Sequence, residues 1–451
     1  MEKKRSTLLE GSVWKGIVLF AIPIFLGNLF QQFYNTFDSW CVGNFIGEDA
    51  LAAVSSSGSL IFMMVGFFNG VAMGAGVIIA RYFGAGDTDS LKKAIHTDVA
   101  LGLVTGGLLT VLGVVLTPMI LGWMGTPEEV MPQSVSYFRY YFCGAIFTVL
   151  YNIFVGILHA LGDSRTPLYY LILASFVNVV LDLLFVAVLG WGVGSAAIAT
   201  TISQGLSAVL CCIRLMRLKT DYRLKVKEIR FHRKSLRQII QYGLPAGVQN
   251  SVIAFANVVV QTNINSFGKA AMAGCGSYSK IEGFAFLPIM SLTLAMTTFV
   301  SQNMGAGRID RVRSGVKIGT VMAVAMATGI GVVIFFFAPH FIALFSKSPE
   351  VIAFGVRQSR VEGLFYGVLA FAHSAAAVLR GAEKPLIPMG VMLSTWCLLR
   401  ICYITVMVKL IPDIAVVFTA YPVTWSASCL LFIWFLKRSD WLWEKPHYQH
   451  I

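Results

Sequence analysis

Charge is what this 451-residue chain has least of. Lys, Arg, Asp and Glu make up 13% of it against 57% hydrophobic residues, and its mean hydropathy is +0.73. Soluble domains carry roughly 25% charged residues, so composition excludes a soluble enzyme held by one anchor and implies a polytopic membrane protein. Paired cysteines are also lacking. The eight cysteines (41, 143, 211, 212, 275, 397, 402 and 429) lie mostly inside apolar runs and include no C-x-x-C, which gives neither a zinc site nor a disulfide framework. No G-x-x-x-x-G-K-[ST] is present, so any uphill work must draw on an ion gradient or a partner. His159 and His373 stand alone in apolar runs, without H-x-x-x-H or a nearby acid pair. That argues against an intramembrane enzyme and for polar packing residues. No cleavable signal peptide is expected, because Met1 to Lys15 is basic and the apolar run after it exceeds signal length.

What is present is a succession of long apolar runs. Turn signals divide them into about twelve spans of roughly 20–30 residues: 14–42, 51–79, 94–121, 133–160, 167–189, 194–216, 237–265, 272–300, 315–345, 351–379, 385–410 and 414–436. The 35 Lys and Arg outnumber the 22 Asp and Glu. All but eight of the 35 fall at the termini, in alternate loops or at the span ends beside them, Arg81, Lys92, Lys93, Arg165, Arg308, Arg311, Arg313, Arg380 and Lys384 among them. Only Lys269, Lys347 and Lys409 mark the other loops. Such bias predicts that both termini are cytoplasmic. It also accounts for the net charge of +13 and the pI of about 9.4 without nucleic acid.

The most basic loop, RLMRLKTDYRLKVKEIRFHRKSLRQ (214–238), separates six spans from six. FIGEDALAAVSSSG (45–58) matches SFGKAAMAGCGSYS (266–279), and FGAGD (83–87) matches MGAGR (304–308). Gly47 to Gly84 and Gly268 to Gly305 are both 37 residues, so the register holds through a whole span. ALGDSRTP (160–167) echoes LRGAEKP (379–385), and Arg139 falls opposite Arg360. Six spans per half is an even number, so the halves form a parallel repeat about an axis along the membrane normal, as in secondary transporters. The G-A-G motifs read as tight helix–loop turns and not as phosphate loops. The expected organisation is an N-terminal lobe over 1–213, a basic inter-lobe loop over 214–236 and a C-terminal lobe over 237–451.

Four acids lie well inside spans: Asp38, Asp182, Glu282 and Glu362. A lone Asp at a span centre costs about 2.5–3.5 kcal/mol on insertion scales, so each needs a reason. Asp38, Asp182 and Thr200 fall at similar depth, roughly 8–11 Å below the outer interface at 1.5 Å per residue. Asn28, Gln31, Asn35 and Asp38 recur at spacings of three and four, as do Ser175, Asn178 and Asp182, and Thr200, Gln204 and Ser207. Three polar stripes can enclose a wet cavity or serve as hydrogen-bond glue between helices. For the aspartates function is the stronger reading, because neutral glue avoids the charge penalty. Two carboxylates in one low-dielectric site cannot both ionise cheaply, so the pair suits a proton or Na⁺, with Asn178 and Thr200 as neutral oxygen donors. The second half does not repeat these acids: Val259 or Val260 matches Asp38, and Arg400 matches Asp182. Glu362 and Arg400 share a depth and are expected to form a structural ion pair, and Glu282 is assigned a structural role. Pro23, fifteen residues before Asp38, and Pro245 are expected bend points.

At these residues the sequence resembles the multidrug and toxic compound extrusion (MATE) family through nearly the whole chain. The resemblance rests on QQFYNTFDSWCVG (31–43), the duplicated A-G turns, GDSRTP (162–167), and NVVLD (178–182) followed eighteen residues on by Thr200. It implies two six-helix lobes in a V shape that exchange drugs for H⁺ or Na⁺. It also implies a first-lobe cation site at Asp38, Asn178, Asp182 and Thr200, as in the branch related to DNA-damage-inducible protein F. Another branch uses second-lobe carboxylates in spans 7 and 10. Here span 7 reads PAGVQNSVIAF with none, and Glu362 lies seven residues from where that branch's acid aligns.

The expected protein is therefore an all-α polytopic membrane protein of 12 transmembrane helices in two six-helix lobes related by a parallel repeat. It is expected to be a monomer in the cell membrane, exporting cationic or amphiphilic small molecules by antiport, with no cofactor beyond the coupling ion and no nucleic-acid partner. Gln31, Gln32, Tyr34, Asn35 and Gln204 are candidates for the substrate cavity. Glu282, Glu362 and Arg400 form a candidate secondary charge site. The alternative is a flippase for lipid-linked oligosaccharides, which needs basic residues in its cavity and is favoured only by Arg400 and Lys280.

Overall fold

Within a bilayer every backbone N–H and C=O must be paired inside its own segment, and long apolar runs meet that demand as helices. The computed structural model describes residues 7–439 except Met124, Gly125 and Pro127, with the side chains of 48, 49, 51–65, 68, 69 and 123 outside that description. The helices in chain order are α1 (Val13–Phe45), α2 (Glu48–Ala85), α3 (Thr88–Trp123), α4 (Met131–Cys143), α5 (Ala145–Ala160), α6 (Arg165–Asp182), α7 (Gly194–Met216), α8 (Arg233–Asn265), α9 (Lys269–Gly305), α10 (Ile309–Ala343), α11 (Pro349–Gly363), α12 (Tyr366–Gly381), α13 (Leu386–Met392), α14 (Arg400–Leu410) and α15 (Ala415–Lys437). No strand occurs among the described residues. Among the described residues nine stretches are long and apolar enough to span a membrane, and eleven if each of two bent pairs counts as one. Helix α2 covers the remaining expected span, 51–79.

Several helices outrun the spans read from sequence, α3 and α10 by six residues each at their starts. An apolar run ends where hydrocarbon ends, whereas a helix continues into the polar interface. Two spans read as continuous are broken instead. Helices α4 and α5 meet at 45° around Gly144, and α11 and α12 at 53° after Gly363. A Cβ on Gly144 would lie 2.1 Å from Thr201 Oγ1, and one on Gly331 would lie 2.1 Å from the Gly363 carbonyl oxygen. Helices approach so closely at these points that only hydrogen fits.

The chain divides into two compact units, one of residues 22–247 and the other of 1–21 with 248–451. Helix α1 passes from one unit to the other at Ala21–Ile22, beside Pro23, and α8 does so at Gly247–Val248, beside Pro245. In the 22–247 unit α3 packs on α4 and α5, and α7 on α4, α5 and α6. Ile95, Phe138, Phe142, Ile157 and Cys211 are fully enclosed there. In the other unit α10 packs on α9, α11 and α12, and α12 on α15.

The internal repeat is written into the backbone of both units. Gly86 and Gly307 each close a long helix at φ 71° and 67°. The residue after each, Asp87 or Arg308, returns its N–H to the carbonyl of Tyr82 or Asn303. Only glycine adopts that left-handed turn without strain, which confirms the turn reading of the G-A-G motifs. Gly47 and Gly268 pair likewise at φ 126° and 98°. The 51–58 portion of the first matched motif lies outside the described side chains. Each unit also carries one π turn, Leu183–Val188 after α6 and Leu393–Leu399 between α13 and α14.

Segments outside the long helices are tied down at the basic end of each unit. Asn303 Nδ2 donates to the Leu8 carbonyl at 3.1 Å, and Arg311 donates to the carbonyls of Leu8, Glu10 and Gly11. In the other unit the inter-lobe segment docks on α3. His96 Nε2 accepts the Lys225 N–H at 3.1 Å, Thr97 Oγ1 accepts the His232 N–H at 3.1 Å, and Lys92 pairs with Glu228. Residues 1–6 and 440–451 lie outside the described chain, and the expected cytoplasmic position of the termini with them.

Candidate functional site

Helices α1, α6 and α7 each bring one polar group to a common point in the 22–247 unit. Thr200 Oγ1 donates to Asp38 Oδ2 at 3.0 Å. The Asp38 and Asp182 carboxyls face each other within hydrogen-bonding range. Asn178, one turn before Asp182, is fully buried, as is Asp182, while Asp38 is 7% exposed. No Lys or Arg pairs with either aspartate among the described residues, and no protein N–H or O–H reaches Asp182 or the Asn178 amide. Two carboxylates at this range repel, so a shared proton or one small cation stabilises the pair.

An apolar cluster of Val42, Ala50, Tyr137, Val186, Val193, Ala196 and Ala197 lies toward one end of the unit. The π turn begins at Leu183, directly after Asp182, and its wider winding carries Val186 into this cluster while Leu183 and Leu184 stay exposed. Periodicity at 3.6 residues cannot show such a turn.

On α1 the buried face is not the stripe read from sequence. Tyr34, Asp38, Cys41 and Val42 are buried, whereas Asn35 is exposed and Gln31 and Gln32 are half-buried. Tyr34 takes the inward place because its hydroxyl finds a partner: Gln204 Nε2 donates to it at 2.8 Å, and the Gln31 side chain lies close to it. Thus Tyr34 and Gln204 are joined with Gln31 beside them, and Gln32 and Asn35 stand apart. Sequence reasoning missed Tyr137 and Cys41, which both lie beside the acid pair. The signal for the first was Tyr137 and Tyr141 spaced four apart on α4. It also missed Asp98, 2% exposed near the start of α3.

The other unit holds a separate polar cluster. Glu362 is fully buried, with Oε1 accepting from Gln358 at 2.8 Å and Oε2 from Tyr278 at 3.3 Å, and Tyr278 and Tyr366 share a 2.9 Å bond. Arg400 donates to Thr424 at 3.1 Å and to Asn257 at 3.5 Å, and its guanidinium lies 4.3 Å from the Tyr421 ring centre. The expected ion pair between Glu362 and Arg400 therefore does not form. Each is held by neutral partners and an aromatic face, and the two charges act on one another only through space. Half-buried Glu282 feels both charges and makes no hydrogen bond among the described residues. His373 lies between Phe286 and Trp396 at 5.0 and 5.2 Å, edge to face, which is a packing role.

A duplicated set of membrane helices, with an unneutralised carboxyl pair buried in one of the two units, is the make-up of a membrane transporter. The chain belongs to the MatE family, whose pattern matches residues 23–184 and again 245–406, once in each half. It is 27% identical over 384 residues to the probable multidrug resistance protein YoeA of Bacillus subtilis (84% of this chain, 83% of the relative) and 29% identical over 375 residues to YpnP of the same organism (83% of each). A protein of Shewanella oneidensis named as a FAD transporter is 24% identical over 85% of this chain and 86% of its own. Among solved structures, a MOP superfamily transporter from Pyrococcus furiosus superposes with a TM-score of 0.91 at 22% identity, over 98% of this chain and 99% of the other.

Proposed function

We propose that this chain is a secondary multidrug exporter that moves cationic or amphiphilic organic molecules outward in exchange for H⁺ or Na⁺. The observation that carries this reading is the Asp38–Asp182 pair, capped by Thr200 and unneutralised by any described Lys or Arg. A carboxyl pair kept only for packing would be replaced at lower cost by neutral groups. Asp38, Asn178, Asp182 and Thr200 form the cation site in this reading, with Tyr34 and Gln204 linking it to the substrate cavity. When the pair takes up its cation, one negative charge in the unit is cancelled. Cation and cationic cargo then compete for the same charge, which is the logic of antiport. The protein works as a monomer in the cell membrane with both termini in the cytoplasm, the orientation that the Lys and Arg bias supports.

A second reading is carried by Arg400, a buried cation whose hydrogen bonds among the described residues go to neutral groups. It suits an anionic cargo such as a phosphate-linked lipid, and one relative is named for an anionic dinucleotide. One experiment separates the two. Proteoliposomes under an imposed pH or Na⁺ gradient are supplied with a fluorescent cationic dye or a fluorescent lipid-linked phosphate. Dye movement driven by one gradient and abolished in Asp38→Asn and Asp182→Asn supports antiport. Lipid movement without dye movement, abolished by Arg400→Met, replaces it with flipping.

A further inference from the structure

The basic inter-lobe segment plays no part in the carboxyl site, yet it ends in a built cavity. Helix α8 starts at Arg233, and the backbone N–H groups of Arg233, Lys234 and Ser235 have no acceptor among the described residues. The first intrahelical return is Leu236 N–H to the His232 carbonyl. Ser235 is 5% exposed, and its hydroxyl makes no hydrogen bond among the described residues either. These groups line a cavity of about 410 Å³ together with Lys93, His232 and Asp89. Asp89 is the one carboxylate among the lining residues, and Lys93 holds it at 2.5 Å. Arg233 and Lys234 make no ion pair among the described residues, although the Asp87 carboxylate acts on Lys234 through space. Burial above all, and then Arg230, Lys93 and His96, hold the His232 imidazole below its ordinary range, against an opposing pull from Asp89.

We propose that the start of α8 is a binding site for a phosphate-type oxyanion, presented by an anionic phospholipid headgroup or by a soluble phosphate. Three outward N–H groups and a free hydroxyl match the oxygens of a tetrahedral anion, and the helix dipole and two cations supply the attraction. The site stands at the root of the helix that crosses from one compact unit into the other, so its occupant anchors that root.

The test uses the full-length protein. In neutral detergent its thermal unfolding is followed against inorganic phosphate, with sodium chloride of equal ionic strength as control. In a second arm it is reconstituted into phosphatidylcholine nanodiscs with or without phosphatidylglycerol. Phosphate-specific stabilisation identifies a soluble ligand; stabilisation by phosphatidylglycerol alone identifies the headgroup. Either response supports the site if it weakens about tenfold or more in apparent affinity in the double variant Arg233→Gln, Lys234→Gln. It must weaken likewise in Ser235→Asp, which places a carboxylate on the same N–H groups and favours the helix start. Matching circular dichroism of the ligand-free variants checks the fold. No response in either arm, or a response unchanged in these variants, overturns the site.

Discussion

Thr200 Oγ1 donates a hydrogen bond to Asp38 Oδ2 across 3.0 Å, tying α7 to α1 at the acid pair. A hydrogen bond to a charged group is worth about 1.5–3 kcal/mol, so its loss is expected to slow gradient-driven transport by about tenfold or more. Thr200→Ala should show that loss and Thr200→Ser should retain most of the rate in the dye-export assay. Equal rates for wild type and Thr200→Ala would remove this contact from the mechanism.

Glu362 gives a stability prediction. Glu362→Ala leaves the Gln358 amide without its acceptor, at a cost of about 1–3 kcal/mol. Glu362→Gln keeps an acceptor oxygen and the shape. Thermal unfolding should therefore drop clearly for alanine and little for glutamine. A salt-bridged Glu362 would make the two variants alike.

Asp413 precedes α15 and accepts the Ala415 N–H at 2.8 Å while pairing with Arg357 at 2.9 Å. These contacts hold its carboxyl below the ordinary value, with the Arg357 bond the larger cause. A lowered carboxyl stabilises the fold above its unfolded value of about 3.9 and ceases to as the pH falls through the folded one. Asp413→Ala should thus cost about 1 kcal/mol at neutral pH. The difference from wild type should vanish when unfolding is measured at progressively lower pH below about 4.

Lys92 and Lys225 draw the Glu228 carboxyl down to about 2, so the docked inter-lobe segment is fully ionised wherever trypsin works. Exposed ion pairs are weak and screened by salt. Cleavage at Lys225, Lys227 and Arg230 should rise by about two- to fivefold in Glu228→Gln or in concentrated salt. Unchanged cleavage would show that His96 and Thr97 hold the segment unaided.

A methyl group at 144 would meet the Thr201 side chain at 2.1 Å. Gly144→Ala is expected to cost about 1–3 kcal/mol by overpacking. Thr201→Ala should recover part of that cost in thermal unfolding of the double variant.

The sequence carried the helices, the duplication and the buried acids because hydropathy, charge and glycine spacing are local properties. Asp38, Asp182 and Thr200 were placed together by counting residues from the span ends, since depth is linear along a helix. Rotation about the axis is less legible. Asn35 looked inward by polarity alone, but Tyr34 holds that place because Gln204 is there to meet its hydroxyl. The Glu362–Arg400 pair failed for a similar reason: equal depth says nothing of azimuth, and each group found neutral partners nearer to hand. The bends at Gly144 and Gly363 come from helices crossing at van der Waals range, which no single stretch of sequence records.

Residues 1–21 belong with residues 248–451 in one compact unit. During synthesis the first segment therefore leaves the ribosome long before its own surroundings exist. At 5–20 residues per second the delay is roughly 10–50 s. Through that interval α1 is a helix whose first part has no companions, and the N-terminal half cannot be finished ahead of the C-terminal half. Severing the gene at the basic segment would yield two pieces that each carry a part of the other, and neither would mature alone.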